Sequence, residues 1–320
     1  MRHLLNNQFR LSIVKTFLLS VSLAFFGCAA VHPAHSNLQL DHSHPESPGP
    51  NIGTETQDWA KQRLAKSPRH QEWVKVKYKP VNSNAEREVS AFVVYPEVKT
   101  KATAVLVIHE IFGMSDWVQS LTDQLAEAGY VAIAPDLLSE MGPNKGGTSD
   151  VATAGNNAIG TAIRDLHPDQ LTADLNAIAN YVVTLPSANG KLVVAGFCWG
   201  GGETFRFATN RPGVKAAFVF YGATPMTGEQ GNQVPDKTAL ARINSPIYGF
   251  YAENDMRINA MIPATIEAMK QLGKTYEPVT YAGAGHGFMR AGEDPGDKNP
   301  ANKKARDDAW KRWRELLSRL

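Results

Sequence analysis

The chain has 320 residues, 43% of them hydrophobic and 20% charged, with 33 basic against 31 acidic side chains and a formal net charge of +2. This is a globular composition, and so even a balance, without a basic block, leaves nucleic-acid binding without electrostatic support. Two cysteines, Cys28 and Cys198, make at most one bridge, so a disulfide framework is excluded and the neighbours of Cys198 must decide whether it is inert or reactive.

Arg2, His3, Arg10 and Lys15 precede an apolar run over 16–26 (TFLLSVSLAFF), which ends in Gly27-Cys28-Ala29-Ala30. Positive charge, apolar run and small residues in that order predict an export signal over 1–30 and a periplasmic or cell-envelope location. The run falls short of the roughly 20 residues that cross a bilayer. The stretch from Phe25 to Cys28 also resembles a lipoprotein box, in which an acylated Cys28 attaches the chain to the membrane. Phe25 stands where that box carries leucine, and plain cleavage near Ala30 or Ala34 is the other reading. Residues 31–56 are rich in His, Pro, Ser and Gly and read as a flexible linker. His32, His35, His42 and His44 are placed there as parts of a solvated spacer rather than as a metal site. The domain is expected over 57–320.

Strands are expected at 74–78 (VKVKY) and 89–96 (VSAFVVYP), as an antiparallel start to a sheet. The apolar run at 103–109 (TAVLVIH) has the pattern of a buried parallel strand. A helix follows over 116–129, with Asp116 as its cap, Trp117, Leu121, Leu125 and Ala128 on one face, and Gly129 as its end. Next come a strand at 130–135, a helix at 168–185 opened by Pro168, a strand at 191–197 and a helix at 200–209. Strands at 215–221 and 246–251, a helix at 261–272, a strand at 276–281 and a helix at 305–320 complete the chain. This alternation predicts an α/β fold with a mostly parallel eight-stranded sheet and helices on both faces. Residues 139–166 show no periodic pattern and are expected to form a loop that partly caps the site.

Gly196-Phe197-Cys198-Trp199-Gly200 stands between a buried strand and a helix, the setting of a nucleophile elbow with Cys in place of Ser. Such a turn is sharp and strained, so its flanks need glycine. The helix N-terminus would favour a thiolate at Cys198, and the Trp199 N–H would face a developing oxyanion. His286 is the one histidine after Cys198, in a glycine-rich loop past the last strand, where a general base belongs in the order nucleophile, acid, histidine. Asp255, beyond the 246–251 strand, is the expected acid that orients the imidazole; Glu253 is its rival. The loop His109-Glu110-Ile111-Phe112-Gly113 supplies the second oxyanion N–H, assigned to Ile111. Glu110 then adjoins the nucleophile, where a carboxylate disfavours the thiolate until something moves. His109 reads as a packing residue at the strand end.

These four motifs together resemble the dienelactone hydrolase family, from about Val74 to the C-terminus. The resemblance implies a single-domain α/β-hydrolase, a carboxylic ester hydrolase needing no metal and no organic cofactor. Its expected partner is a small ester or lactone, of which carboxymethylenebutenolide is the family's type. It implies that Cys198, His286 and Asp255 form the triad, that Glu110 pairs with the resting thiol, and that Arg290 binds a substrate carboxylate. The family's second arginine has no counterpart over 151–163, and Arg164 is its nearest substitute. Other readings of the fold are a cell-envelope acyl or carbohydrate esterase or peptidase, and a non-catalytic envelope binding protein. A monomer or small homo-oligomer is expected.

Overall fold

The computed structural model describes residues 57–81, 85–229 and 231–320. The expected export signal over 1–30 and the expected linker over 31–56 lie outside the described residues. In chain order the main elements are α1 (Asp58–Ala65), β1 (Gln71–Tyr78), β2 (Arg87–Val94), β3 (Ala102–Ile108), α2 (Asp116–Glu127), β4 (Val131–Pro135), α3 (Pro168–Thr184) and β5 (Ala188–Phe197). There follow α4 (Trp199–Asn210), β6 (Val214–Phe220), β7 (Ile247–Ala252), α5 (Ile262–Gln271), β8 (Tyr276–Tyr281) and α6 (Pro300–Leu317).

The eight strands form one sheet in the order β1-β2-β4-β3-β5-β6-β7-β8. β2 runs antiparallel to both of its neighbours, and every other pairing is parallel. The expected mostly parallel eight-stranded sheet is therefore present. Its central strands are apolar on both sides because both faces are covered. Along β3, Ala104, Leu106 and Ile108 enter one core, together with α3, α4 and α5. Val105 and Val107 enter the other, together with α1, α2 and α6.

The caps refine the helix boundaries. Ser115, not Asp116, caps α2: its side chain accepts the Val118 N–H at 3.4 Å. Asp116 instead occupies the first turn, where a negative charge suits the helix dipole. Pro168 opens α3 as expected, with the His167 ring accepting the Asp169 N–H. α6 starts at Pro300, five residues earlier than its apolar stripe suggests, because Asn299 caps it.

The 139–166 segment is not a plain loop. It contains helical turns at Thr148–Val151, Ala152–Ala154 and Ala158–Arg164. Carboxylates organise it rather than an apolar stripe. Asp136, just past β4, accepts the Thr148 N–H and hydroxyl, each at 2.7 Å. Asp150 accepts the Asn144 and Gly146 N–H groups. Thr148 in turn accepts the Met114 N–H, so the segment braces the loop that leaves β3.

Candidate active site

The loops that leave the carboxyl ends of β3, β5, β7 and β8 carry Glu110, Ile111, Cys198, Trp199, Asp255, His286 and Arg290, the edge where open α/β sheets place their ligand sites. Cys198 sits at the crest between β5 and α4 with φ 55° and ψ −119°. A non-glycine residue in this half of the map stores backbone strain and persists only where its surroundings over-determine it. Here the Cys198 N–H donates to the Phe220 carbonyl, and the Gly201 and Gly202 N–H groups donate to the Cys198 carbonyl. Glycine is required on both flanks. A Cβ on Gly196 would strike the Gly200 carbonyl, and one on Gly200 would strike the carbonyls of Ile108 and His109. That close approach lays the start of α4 against the end of β3. The thiol is free and partly exposed.

His286 Nδ1 lies 2.5 Å from Asp255 Oδ2 and donates to it. Asp255 is 7% exposed and the His286 side chain 34%, so the acid is enclosed while the far edge of the imidazole is reachable. Burial works to lower the imidazole pKa, but the Cys198 sulfur and Asp255 outweigh it and raise the pKa above the ordinary value. Asp255 also caps a short helix, Met256–Asn259, by accepting the Ile258 N–H, which fixes the carboxylate. Glu253 is turned away, accepting the Gly283 N–H at 2.8 Å. The rival acid is thereby a brace for the histidine loop.

Glu110 is 2% exposed. Arg290 Nε donates to its Oε2 at 2.8 Å, and the Tyr221 hydroxyl donates to its Oε1 at 3.4 Å. The expected pairing of Glu110 with the resting thiol is not formed: among the described residues no hydrogen bond joins them. A buried carboxylate takes the guanidinium because a charge-assisted bond to a cation compensates its desolvation far better than a thiol does. Arg290, 14% exposed, also lies over the Phe112 ring at 5.2 Å. The Ile111 and Trp199 main-chain N–H groups carry no hydrogen-bond acceptor among the described residues, as an oxyanion site requires. Arg164 ends the Ala158–Arg164 helix, exposed and without an ion pair among the described residues.

Two residues of this cluster escape sequence reasoning. Tyr221, with φ 40°, turns at the end of β6 so that its ring meets His286 edge-on at 5.0 Å while its hydroxyl reaches Glu110. In the sequence it reads as the last apolar residue of a strand. Asn302 on α6 accepts the Gly285 N–H at 2.8 Å and holds the histidine loop; nothing local marks it.

Residues 89–320 match the family model described as the dienelactone hydrolase family. Relatives named "Putative carboxymethylenebutenolidase" include one of Saccharolobus solfataricus, 31% identical over 269 residues, covering 73% of this chain and 95% of the relative. Another, of Escherichia coli K12, is 32% identical over 223 residues, covering 66% of this chain and 74% of the relative. The crystal structure of a "Putative Dienelactone Hydrolase" from Klebsiella pneumoniae superposes with a TM-score of 0.63 at 23% identity, covering 78% of this chain and 100% of that one. At that identity the likeness concerns the fold. With the family match covering β2 to the C-terminus, the chain belongs to the dienelactone hydrolase family and is a carboxylic ester hydrolase of the α/β-hydrolase fold.

Proposed function

We propose that this hydrolase cleaves small esters or lactones, carboxymethylenebutenolide-like compounds among them, by acyl transfer through Cys198. The observation that carries the reading is a strained Cys198 at a helix N-terminus, whose sulfur acts on an imidazole that is itself bonded to a buried aspartate. The Cys198 thiolate attacks the carbonyl carbon, and the oxyanion is received by the Ile111 and Trp199 N–H groups. The C–O bond breaks as His286 delivers its proton to the departing alkoxide, leaving a thioester. In a lactone the alkoxide stays tethered to the acyl group. A water molecule then gives its proton to His286 and attacks the thioester, and collapse returns the thiolate and releases the carboxylic acid. Asp255 holds the imidazole in the tautomer this needs and stabilises the imidazolium. Arg290 anchors a substrate carboxylate in this reading, which sets the substrate in competition with Glu110 for the guanidinium.

The test is hydrolysis of a p-nitrophenyl acetate and lactone panel by protein starting at Gln57, with intact-mass detection of the acyl adduct. Cys198→Ala is expected to abolish turnover with little change in melting temperature. Cys198→Ser should retain a fraction, since base and oxyanion donors remain. Sustained turnover by a purified Cys198→Ala protein would rule out the nucleophile.

A further inference from the structure

His109 is wholly buried at the end of β3, and the proposed chemistry gives it no task. Its two ring nitrogens are both engaged. Nδ1 lies 2.8 Å from the Glu110 carbonyl oxygen, and Nε2 lies 3.4 Å from the Leu137 main-chain nitrogen. A carbonyl oxygen only accepts and a main-chain N–H only donates. The ring must therefore carry its proton on Nδ1 and a lone pair on Nε2, which makes it neutral and fixes one tautomer. Burial, the largest influence on it, favours the same neutral form against the pull of Asp136.

The Glu110 carbonyl belongs to the same peptide unit as the Ile111 N–H. A trans peptide is planar, and its C=O and N–H point in opposite directions. Whatever holds the Glu110 oxygen therefore aims the Ile111 hydrogen. Two donors hold that oxygen: the Gly113 N–H, at 3.1 Å, and His109 Nδ1. The same imidazole stacks on the Trp199 ring, with centroids 5.5 Å apart and planes 23° from parallel. One buried side chain thus holds the peptide unit that carries the Ile111 N–H and packs on Trp199, the two residues whose N–H groups have no acceptor among the described residues.

We infer that His109 is a positioning residue for the oxyanion site: its Nδ1–H locks the Glu110–Ile111 peptide so that the Ile111 N–H faces the carbonyl under attack, while its ring braces Trp199. The inference rests on the acyl-transfer reading of Cys198. It takes no part in proton transfer, since neither nitrogen is open to substrate. Its chain of support runs back through Leu137 to the end of β4, where Asp136 holds Thr148 and Thr148 accepts the Met114 N–H. The oxyanion loop is thus braced at one end by Leu137 through His109 and at the other by Thr148, which Asp136 holds just past β4.

The experiment compares His109→Leu and His109→Asn by steady-state kinetics on p-nitrophenyl acetate and by the rate at which iodoacetamide alkylates Cys198. Removing a whole oxyanion donor costs roughly 10²–10³ in kcat, so loosening one of two is expected to cost about tenfold or more in the leucine variant. KM should stay within about twofold, because the interaction is made in the transition state. Asparagine offers an N–H near the place of Nδ1 and should restore most of kcat. Alkylation attacks a saturated carbon and creates no oxyanion, so its rate should be unchanged in both variants. Should the leucine variant not fold, His109→Met, which also lacks a donor, replaces it. A folded donor-less variant with wild-type kcat overturns the inference, as does a kcat loss matched by slower alkylation. Wild-type protein that still turns over ester after complete alkylation of Cys198 would instead sink the acyl-transfer reading.

Discussion

Glu110 and Arg290 form a pair whose members cannot be separated without cost. The carboxylate side chain is 3% exposed and the guanidinium 14%, so removing the cation leaves a buried charge with only the Tyr221 hydroxyl beside it. Arg290→Ala is expected to lower stability by about 3 kcal/mol. Glu110→Gln combined with Arg290→Met should recover part of that loss, because no lone charge then remains. Urea unfolding curves of the three proteins check both statements, and an Arg290→Ala curve that overlays wild type would show that the ion pair contributes nothing. The same cluster shows what a sequence reveals at this scale. Residues whose backbone setting is special announce themselves: Cys198 by its glycine flanks, His286 by the loop around it, Asp255 by its place beyond a strand. Partners brought in by tertiary contact do not. Arg290 and Glu110 stand 180 residues apart, and no local signal says that the arginine, rather than the thiol, takes the carboxylate. Tyr221 and Asn302 are hidden for the same reason.

At the scale of elements, the strands were legible because a sheet covered on both faces needs uninterrupted apolar runs, and α2 and α3 because they carry a stripe and a start signal. The short helices at 148–151, 158–164 and 256–259 were not, because side-chain carboxylates and local turns hold them without an apolar period. α1 carries no clear apolar stripe and precedes the region that matches the family. Its Ala60 is buried in the core with α2 and its Trp59 and Leu64 pack against that core, and polar groups add to this attachment. The Gln57 side chain accepts the Trp117 N–H at 2.7 Å, Lys61 faces Asp116 and Arg63 faces Glu127. These contacts are exposed or partly so, and such pairs contribute little. The exception follows α1: Arg69 grips Asp123 through two bonds of 2.9 and 2.7 Å, and Asp123 is 1% exposed. Arg69→Ala is therefore expected to destabilise the domain by about 3 kcal/mol, because the buried Asp123 carboxylate is then left with the Ser67 hydroxyl and no cation. Lys61→Ala and Arg63→Ala should each change stability by less than about 1 kcal/mol. Chemical denaturation of the three variants ranks them, and equal effects would show that the N-terminal attachment is a diffuse charge contact rather than one buried clamp.

For the whole molecule, two histidines at the carboxyl edge of the sheet contribute to the pH dependence of stability with opposite signs. Burial holds the His109 pKa below its ordinary value of 6.5, against the pull of Asp136. The unfolded chain returns that ring to water, where it takes up a proton below pH 6.5, so the unfolded state binds more protons there than the native state does. Linkage then makes the His109 contribution complete above pH 6.5 and progressively lost as pH falls below it. His286 shifts the other way. Burial opposes its protonation, but Cys198 and Asp255 prevail and raise its pKa above 6.5. Its contribution is complete below pH 6.5 and is lost as pH rises through the raised native value. Together they favour stability near neutral pH, with an acid limb from His109 and an alkaline limb from His286. Melting temperatures measured across this range should separate the limbs. His109→Asn, which cannot take up a proton there, should flatten the slope just below pH 6.5 and leave the alkaline slope intact. Cys198→Ala, which removes the sulfur that helps raise the imidazole, should weaken the alkaline slope and leave the acid one. An acid limb unchanged in folded His109→Asn would assign it to another group, and the link between the buried ring and the acid sensitivity of the fold would be lost.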